Sequence, residues 1–384
     1  MNRAALGTAL VFTASGAVVG GWVSRIPAVV ERLGIGPGEL GRALLALGLG
    51  SLVSMPVTGH ACRRFGSRAW VAGTAVVAVA ALAAAGLAGG LWTLAGALFV
   101  LGLAYGSWDV AMNVQGSFVD RTAGREWMPR YHACWSLGSI GGAAAGSLAA
   151  RAGLGAAPHL AIAAVVSLAV TYAGLALYLD ERAAAPAAAD GRPRAPMSRA
   201  LLLIGLITLC ATVAEGAAGD WLALYLDTGR GLSQASAALG YTVFATAMTA
   251  GRFAGSAAVA RLGRSGAVRL GALLGVAGIV AAVLAPAAAP AYAGALLWGL
   301  GVCLVFPAAV SAAGETDRPA EAIALVTSIG YGSILVGPPL IGALADVIGL
   351  GRSLLGLAGL VAVVAALAPV LHRRAQDGSA SMAR

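Results

Sequence analysis

At 384 residues, with 59% hydrophobic and 11% charged side chains, the chain is too apolar for a soluble globular protein, which would expose large sticky patches. Its net charge is +9, and every basic residue is arginine. No loop is both long and basic enough to make a nucleic-acid-binding domain, so the charge reads as the cytoplasmic arginine excess of a membrane protein.

A chain of this length holds about a dozen spans of ~20 residues joined by short loops. Its abundant Gly and Ala suit close helix approach in lipid. Twelve apolar segments follow one another, at 4–27, 38–60, 69–88, 91–118, 131–151, 157–179, 200–226, 233–256, 267–285, 290–312, 321–345 and 351–371. The first opens like a signal peptide, with Arg3 and an apolar run. That run passes Gly20 and Trp22 and many spans follow, which predicts an uncleaved first transmembrane helix. Pro27 is expected to kink or end it. In the eleventh segment, Gly337-Pro338-Pro339 reads as a break. Residues 180–199, DERAAAPAAADGRPRAPMSR, are the longest polar interruption and read as a flexible linker. The expected organisation is all-α, with two six-helix bundles at 1–180 and 200–384 and a cytoplasmic linker at 181–199.

Orientation follows from arginine placement. With the N-terminus inside, the inner loops hold Arg63, Arg64, Arg68, Arg121, Arg125, Arg130, Arg182, Arg192, Arg194, Arg199, Arg261, Arg264, Arg269 and Arg318, and Arg373 and Arg374 follow the last span. The outer loops hold only Arg32, Arg42, Arg151, Arg230 and Arg352. This imbalance places both termini in the cytoplasm of a bacterial cell, with the chain in the plasma membrane. Arg252, just inside the cytoplasmic end of the eighth segment, reads as a snorkelling residue of an inner loop.

Cys62, Cys134, Cys210 and Cys303 form no CxxC and no Cys/His cluster, so neither a disulfide nor a metal site is predicted. The sequence contains no HExxH, no GxSxG in a strand–helix setting and no P-loop; an enzyme is not expected, and neither is a cofactor. The two halves echo each other. Gly59–Gly66 (GHACRRFG) and Ser256–Gly263 (SAAVARLG) lie 197 residues apart, as do Gly102-Leu103 and Gly299-Leu300. A duplicated six-helix unit is the simplest explanation, and parallel repeats of this kind place a solute site at the midplane between them.

Twelve spans, a central linker and a Gly-x-x-x-x-Arg-x-Gly loop after the second span resemble the major facilitator superfamily. Three stretches resemble its fucose-permease-like group and that group's YbjJ-type bacterial relatives. They are Trp22–Pro27 (WVSRIP), Asp109–Asn113 (DVAMN) and Glu215–Trp221 (EGAAGDW). The resemblance implies a secondary transporter working by alternating access, with Asp109 matching the proton-coupling carboxylate of the group's fourth span. It implies uptake of a sugar-like solute. The chain departs from the pattern in three places. Arg63 stands where the superfamily loop usually has Asp. No acid lies between Arg3 and Glu31, where fucose permeases carry one. The stretch 136–142 lacks the proline of the drug antiporters' fifth span.

The physical reading of the candidate residues stands beside that resemblance. A carboxylate inside a bilayer is costly unless it meets a partner, a cavity or a passing solute, and out of water it binds a proton more readily. Asp109, in Leu101–Gln115 (LGLAYGSWDVAMNVQ), is therefore the first candidate for proton coupling, and Glu215, near the middle of the seventh span, is the second. Asn113, one turn from Asp109, would bond that carboxyl or a solute hydroxyl, or join two helices. Gln115 points to a different face. Asp220, roughly 140° around the helix from Glu215, is a solute or gate candidate, and Trp221 an interfacial anchor. Arg25 would bind solute, pair with Asp220 or snorkel outward. Trp135 and Ser136 are cavity candidates. His132, nearer the cytoplasmic end, reads as interfacial, with a proton relay as the alternative. Tyr331 and Phe306 are weaker candidates for the second-half wall. Besides the bilayer, the expected partners are a small-molecule solute and a proton, with the chain acting as a monomer. An exporter of an amphipathic compound is the second reading, and a transport-dead sensor the third.

Overall fold

The computed structural model describes residues 3–123, 127–180, 198–316 and 319–372. Among the described residues the structure is helical throughout, without strands. The helices are α1 (Arg3–Leu33), α2 (Pro37–Phe65), α3 (Ser67–Leu87), α4 (Leu91–Ala123), α5 (Met128–Arg151) and α6 (Ala156–Leu175). The second set comprises α7 (Arg199–Thr228), α8 and α9 (234–262 and 264–284), α10 (Ala288–Ala313), α11 (Pro319–Ile348) and α12 (Leu350–Leu371). α8 and α9 form one run broken at Gly263. Large apolar side chains such as Leu52, Val53, Val57, Val165 and Val166 face outward, as a surface against lipid requires.

Nine described helices are long and apolar enough to cross a bilayer, and α2 makes a tenth if its bent halves count as one span. α5 and α8 fall outside that set because they carry His132, Ser136, Ser139, Thr242, Thr246, Thr249 and Arg252, and these two helices face each other in the interior. α2 bends by 51° between Pro37–Ser54 and Val57–Phe65, where Pro56 removes a backbone donor. At two expected interruptions the helix runs on. Pro27 sits inside α1, which continues to Leu33, and Pro338 and Pro339 lie inside an unbroken α11. A proline costs one backbone hydrogen bond, which packed neighbouring helices and wide turns accommodate.

The first six helices pack mainly on one another, α1 on α5 and α6, α2 and α3 on α4. In the second set α7 packs on α11 and α12, and α10 on the α8–α9 run. Among the described residues positive φ is confined to six glycines, in three pairs. Gly34 and Gly231 are 197 residues apart, Gly66 and Gly263 are 197 apart, and Gly153 and Gly349 are 196 apart. Corresponding turns in the two halves thus use the same left-handed backbone, which only glycine adopts without strain.

Two arginines of α1 end on carbonyls at or near the ends of other helices. Arg25 donates from Nη2 to Leu154 O at 2.6 Å and from Nη1 to Gly146 O at 3.4 Å, at the C-terminal end of α5. Arg32 donates to Gly86 O at 2.8 Å and Ala88 O at 2.6 Å, at the end of α3. Cations suit these positions because helix C-termini carry partial negative charge.

The two sets of helices meet at the end where α1 finishes and α2 begins. There Gly38 N donates to Asp346 Oδ1 at 2.9 Å, setting the carboxylate of α11 on the N-terminus of α2. Gln234 donates to Glu31 at 2.6 Å, and Ser147 to Ala235 O at 2.7 Å. Gly41 of α2 lies so close to α11 that a Cβ there would stand 2.8 Å from Pro338 O. At the other end, where α4 finishes and α5 begins, a chamber separates the sets.

Candidate functional site

A cavity of about 300 Å³ lies between the two sets at mid-length. α1 and α5 contribute Val19, Val23, Trp135, Ser136 and Ser139; α7, α8 and α11 contribute Glu215, Asp220, Tyr241, Thr249 and Ser333, among others. Trp135, Ser136 and Thr249 also line the chamber at the open end, of about 390 Å³, together with Asp109, His132 and Arg252. The two spaces therefore share a wall. A smaller recess of about 130 Å³ runs from Asp220 past Trp22 and Tyr105.

α7 places Glu215 and Asp220 on the central cavity through a change of helix type. Residues Ala218–Leu222 form a π-helical turn. The wider turn departs from the α-helical spacing that would set Glu215 and Asp220 on different faces. Glu215 Oε1 accepts from Arg252 Nη2 of α8 at 2.8 Å, with the two side chains 28% and 33% exposed. Arg252 also donates from Nε to Cys303 O of α10 at 3.4 Å. Arg252 thus turns inward. The expectation of a snorkelling residue is corrected, because a carboxylate and a free carbonyl within reach satisfy the guanidinium better than a distant headgroup. The Asp220 carboxylate accepts no hydrogen bond among the described residues and opens onto the central cavity and the recess.

Asp109 lies on the wall of the open-end chamber, and its carboxylate accepts no hydrogen bond among the described residues. Asn113 does not reach that carboxylate. Its Nδ2 donates to the backbone carbonyl of Asp109 at 2.8 Å, closing a bond along its own helix. Gln115 is fully buried and accepts from Ser67 at 3.1 Å, on the face predicted to differ.

Trp135 and Ser136 line both spaces. The Trp135 indole donates to Tyr105 OH at 2.9 Å, and Ser15 donates to the same oxygen at 3.1 Å. Ser136 donates to His132 O at 3.1 Å. His132 lines the chamber, and its ring stands edge-on to Phe12. Ser139 and Tyr241 pair across the two sets at 3.5 Å.

Other candidates lie away from the cavities. Arg25 is 2% exposed and bound to the end of α5, so it neither reaches a solute nor pairs with Asp220. Trp221 is completely buried and is a packing residue, not an interfacial anchor. Phe306 packs on Gly330 of α11, its Cε2 3.1 Å from where a Cβ would stand. The side chain of Tyr331 lies outside the described residues. The wall residues that escaped the sequence reading include Tyr105, Ser139, Tyr241, Thr249 and Ser333. Tyr105 carried a signal, since it stands four residues before Asp109; Tyr241 and Thr249 sit in an apolar run without one.

Comparison with known proteins agrees with this architecture. A profile described as Major Facilitator Superfamily matches residues 4–321. The chain is 36% identical over 373 residues to the uncharacterized transporter y4wD of Sinorhizobium fredii, covering 96% of this chain and 98% of that one. It is 29% identical to membrane protein MosC of Rhizobium meliloti, over 96% of this chain and 89% of that one. Among solved structures, the nucleoside transporter NupG superposes with a TM-score of 0.76 at 15% identity, over 97% of this chain and 100% of that one. A bacterial homolog of the human lysosomal transporter Spinster, in an inward-facing and unoccupied conformation, gives 0.73 at 13% identity, over 96% of each chain. At these identities the two structures speak to the fold alone.

Proposed function

This chain belongs to the major facilitator superfamily of membrane transporters, and from that premise we propose that it moves a small polar solute across the bacterial plasma membrane by alternating access, coupled to a proton at Asp109. The observation that carries this reading is the cavity of about 300 Å³ between the two sets of helices, closed off at one end and sharing Trp135, Ser136 and Thr249 with the chamber at the other. Its size suits a small molecule. Residues 1–180 and 200–384 rock as two bundles about it, joined by the linker at 181–199.

The arginine-rich loops put both termini in the cytoplasm, so the open end faces inward and this structure is an inward-open state. Asp346, Gln234 and Ser147 then hold the outer end shut. The polar part of the wall is a solute-binding surface. Asp220, Ser139, Tyr241 and Ser333 offer acceptors and donors, and the Trp135 indole, fixed by Tyr105, offers a flat apolar face of the kind that sugar rings and other cyclic solutes stack on. The resemblance of Trp22–Pro27, Asp109–Asn113 and Glu215–Trp221 to the fucose-permease-like group supports a polyhydroxylated solute taken up with a proton.

Asp109 is the proton carrier because it is an acid within the membrane, reaches water through the open chamber, and has no cation bound to it. Glu215 is less suited, since Arg252 already neutralises it. Proteoliposomes with a trapped pH dye test the reading. Pools of sugars, amino acids, nucleosides and organic acids are added outside, beside Asp109→Asn. A solute-dependent pH change, lost in the variant, is the expected result. Solute entry with no accompanying pH change, or a pH change that Asp109→Asn preserves, overturns coupling at Asp109.

A further inference from the structure

We propose that Arg252 is exchanged between two carboxylates during the cycle, held by Glu215 of its own bundle when the inner end is open and by Asp109 of the opposite bundle when that end closes. The inference rests on the transport reading above and adds to it what locks the inner end and when.

Four observations carry it. Arg252 and Asp109 line one chamber from opposite sides of the interface, on α8 and α4. Arg252 uses Nη2 and Nε on Glu215 and Cys303 O, leaving Nη1 without a hydrogen bond among the described residues. The Asp109 carboxylate is equally unpartnered. A space of about 390 Å³ lies between them and is open at this end. An unpaired acid and a free guanidinium nitrogen drawn together as water leaves attract strongly, because the local dielectric falls with the departing water. The pair gained by closure also replaces hydration that both groups lose.

The exchange orders the proton step. A protonated Asp109 has no charge to offer Arg252, so the empty carrier closes its inner end only after the proton has left for the water of the chamber. The proton and the guanidinium thus compete for one carboxylate. Among the described residues the other ionisable groups near Arg252 are Glu215 on α7, His132 on α5 and the thiol of Cys303 on α10, whose carbonyl is in direct contact. Cationic His132 would weaken the attraction of the chamber for Arg252, and Glu215 is the competitor that holds Arg252 in the present state.

Distances across the inner end test this. Phe65 and Leu262 are exposed at the corresponding ends of α2 and α8 and can carry spin labels as Phe65→Cys and Leu262→Cys, with the four native cysteines changed to Ala. In lipid nanodiscs the otherwise unaltered chain is expected to show a long, open distance and a short, closed one. Asp109→Asn and Arg252→Gln should each lower the closed-to-open ratio about tenfold, the size of an ordinary coupling between sites. The double variant should lower it no further, because either change removes the whole pair. Glu215→Gln should raise the ratio by freeing Arg252. The surviving long distance in each variant reports that it is folded. Single effects that add in the double variant, or a ratio that Asp109→Asn leaves untouched, overturn the exchange while the transport reading stands. Absence of any short distance in the unaltered chain overturns both.

Discussion

Arg25 and Arg252 are both arginines within apolar helices, and their surroundings give them opposite uses. Arg25 is enclosed and tied to carbonyls at the end of α5, so its charge holds α1 and α5 together. Arg252 stands in a water-accessible wall with one nitrogen unspent. Arg25→Met should therefore destabilise the chain by about 1–3 kcal/mol, the worth of hydrogen bonds from a charged donor. Thermal unfolding in detergent would read that loss, while the affinity for the transported solute stays within twofold. Tyr105→Phe should do the reverse. Without the phenol oxygen the Trp135 indole loses its anchor, and half-saturation for the solute should rise about fivefold, equivalent to one ordinary hydrogen bond, with melting little changed. Sequence reasoning could find Asp109, Glu215 and Asp220 because an acid in an apolar run stands out. It could not tell Arg25 from Arg252, because the carbonyls and the carboxylate that decide between them come from other helices.

Single elements carry devices that no residue shows by itself. The π-helical turn of α7 puts Asp220 on the same cavity as Glu215. Asp220→Asn keeps this turn and removes the charge; solute affinity should fall about tenfold although the protein still inserts, as a binding assay on the purified variant would show. α11 sets Asp346 on the N-terminus of α2, where a carboxylate contributes about 0.3–1 kcal/mol. Asp346→Asn should thus open the outer end about threefold more often. The check is a membrane-impermeant maleimide acting on Ser147→Cys, which is buried while that end is shut. The helices were legible from hydropathy although several ends were not, α1 running on to Leu33 and α2 to Phe65, and the π turn was not, since nothing in AGDWL departs from an ordinary helix. The prolines misled for a related reason. A proline marks a missing hydrogen bond, and packed helices decide whether the axis bends: Pro56 lies at the bend of α2, while Pro338 and Pro339 leave α11 straight enough to run unbroken.

The molecule as a whole shows why its fold was easier to read than its site. Twelve apolar runs and the arginine imbalance are global patterns that survive any local ambiguity, and the glycine pairs at near-constant separation mark the repetition in backbone form. Fusions at the C-terminus should follow the same pattern: a fluorescent reporter glows and an alkaline phosphatase stays inactive if both ends lie in the cytoplasm. The site needed the meeting of α4, α5, α7 and α8, which no local pattern encodes. The clamp of Arg25 on Leu154 has a bearing on how the chain is made. Its two ends are 129 residues apart in sequence, and at a synthesis rate of about 5–20 residues per second roughly 6–26 s pass between them. For that interval the first helix emerges from the ribosome with a cation that has no acceptor in the nascent chain. The insertion machinery, lipid headgroups or water must hold it at the membrane surface until α5 and the turn after it arrive.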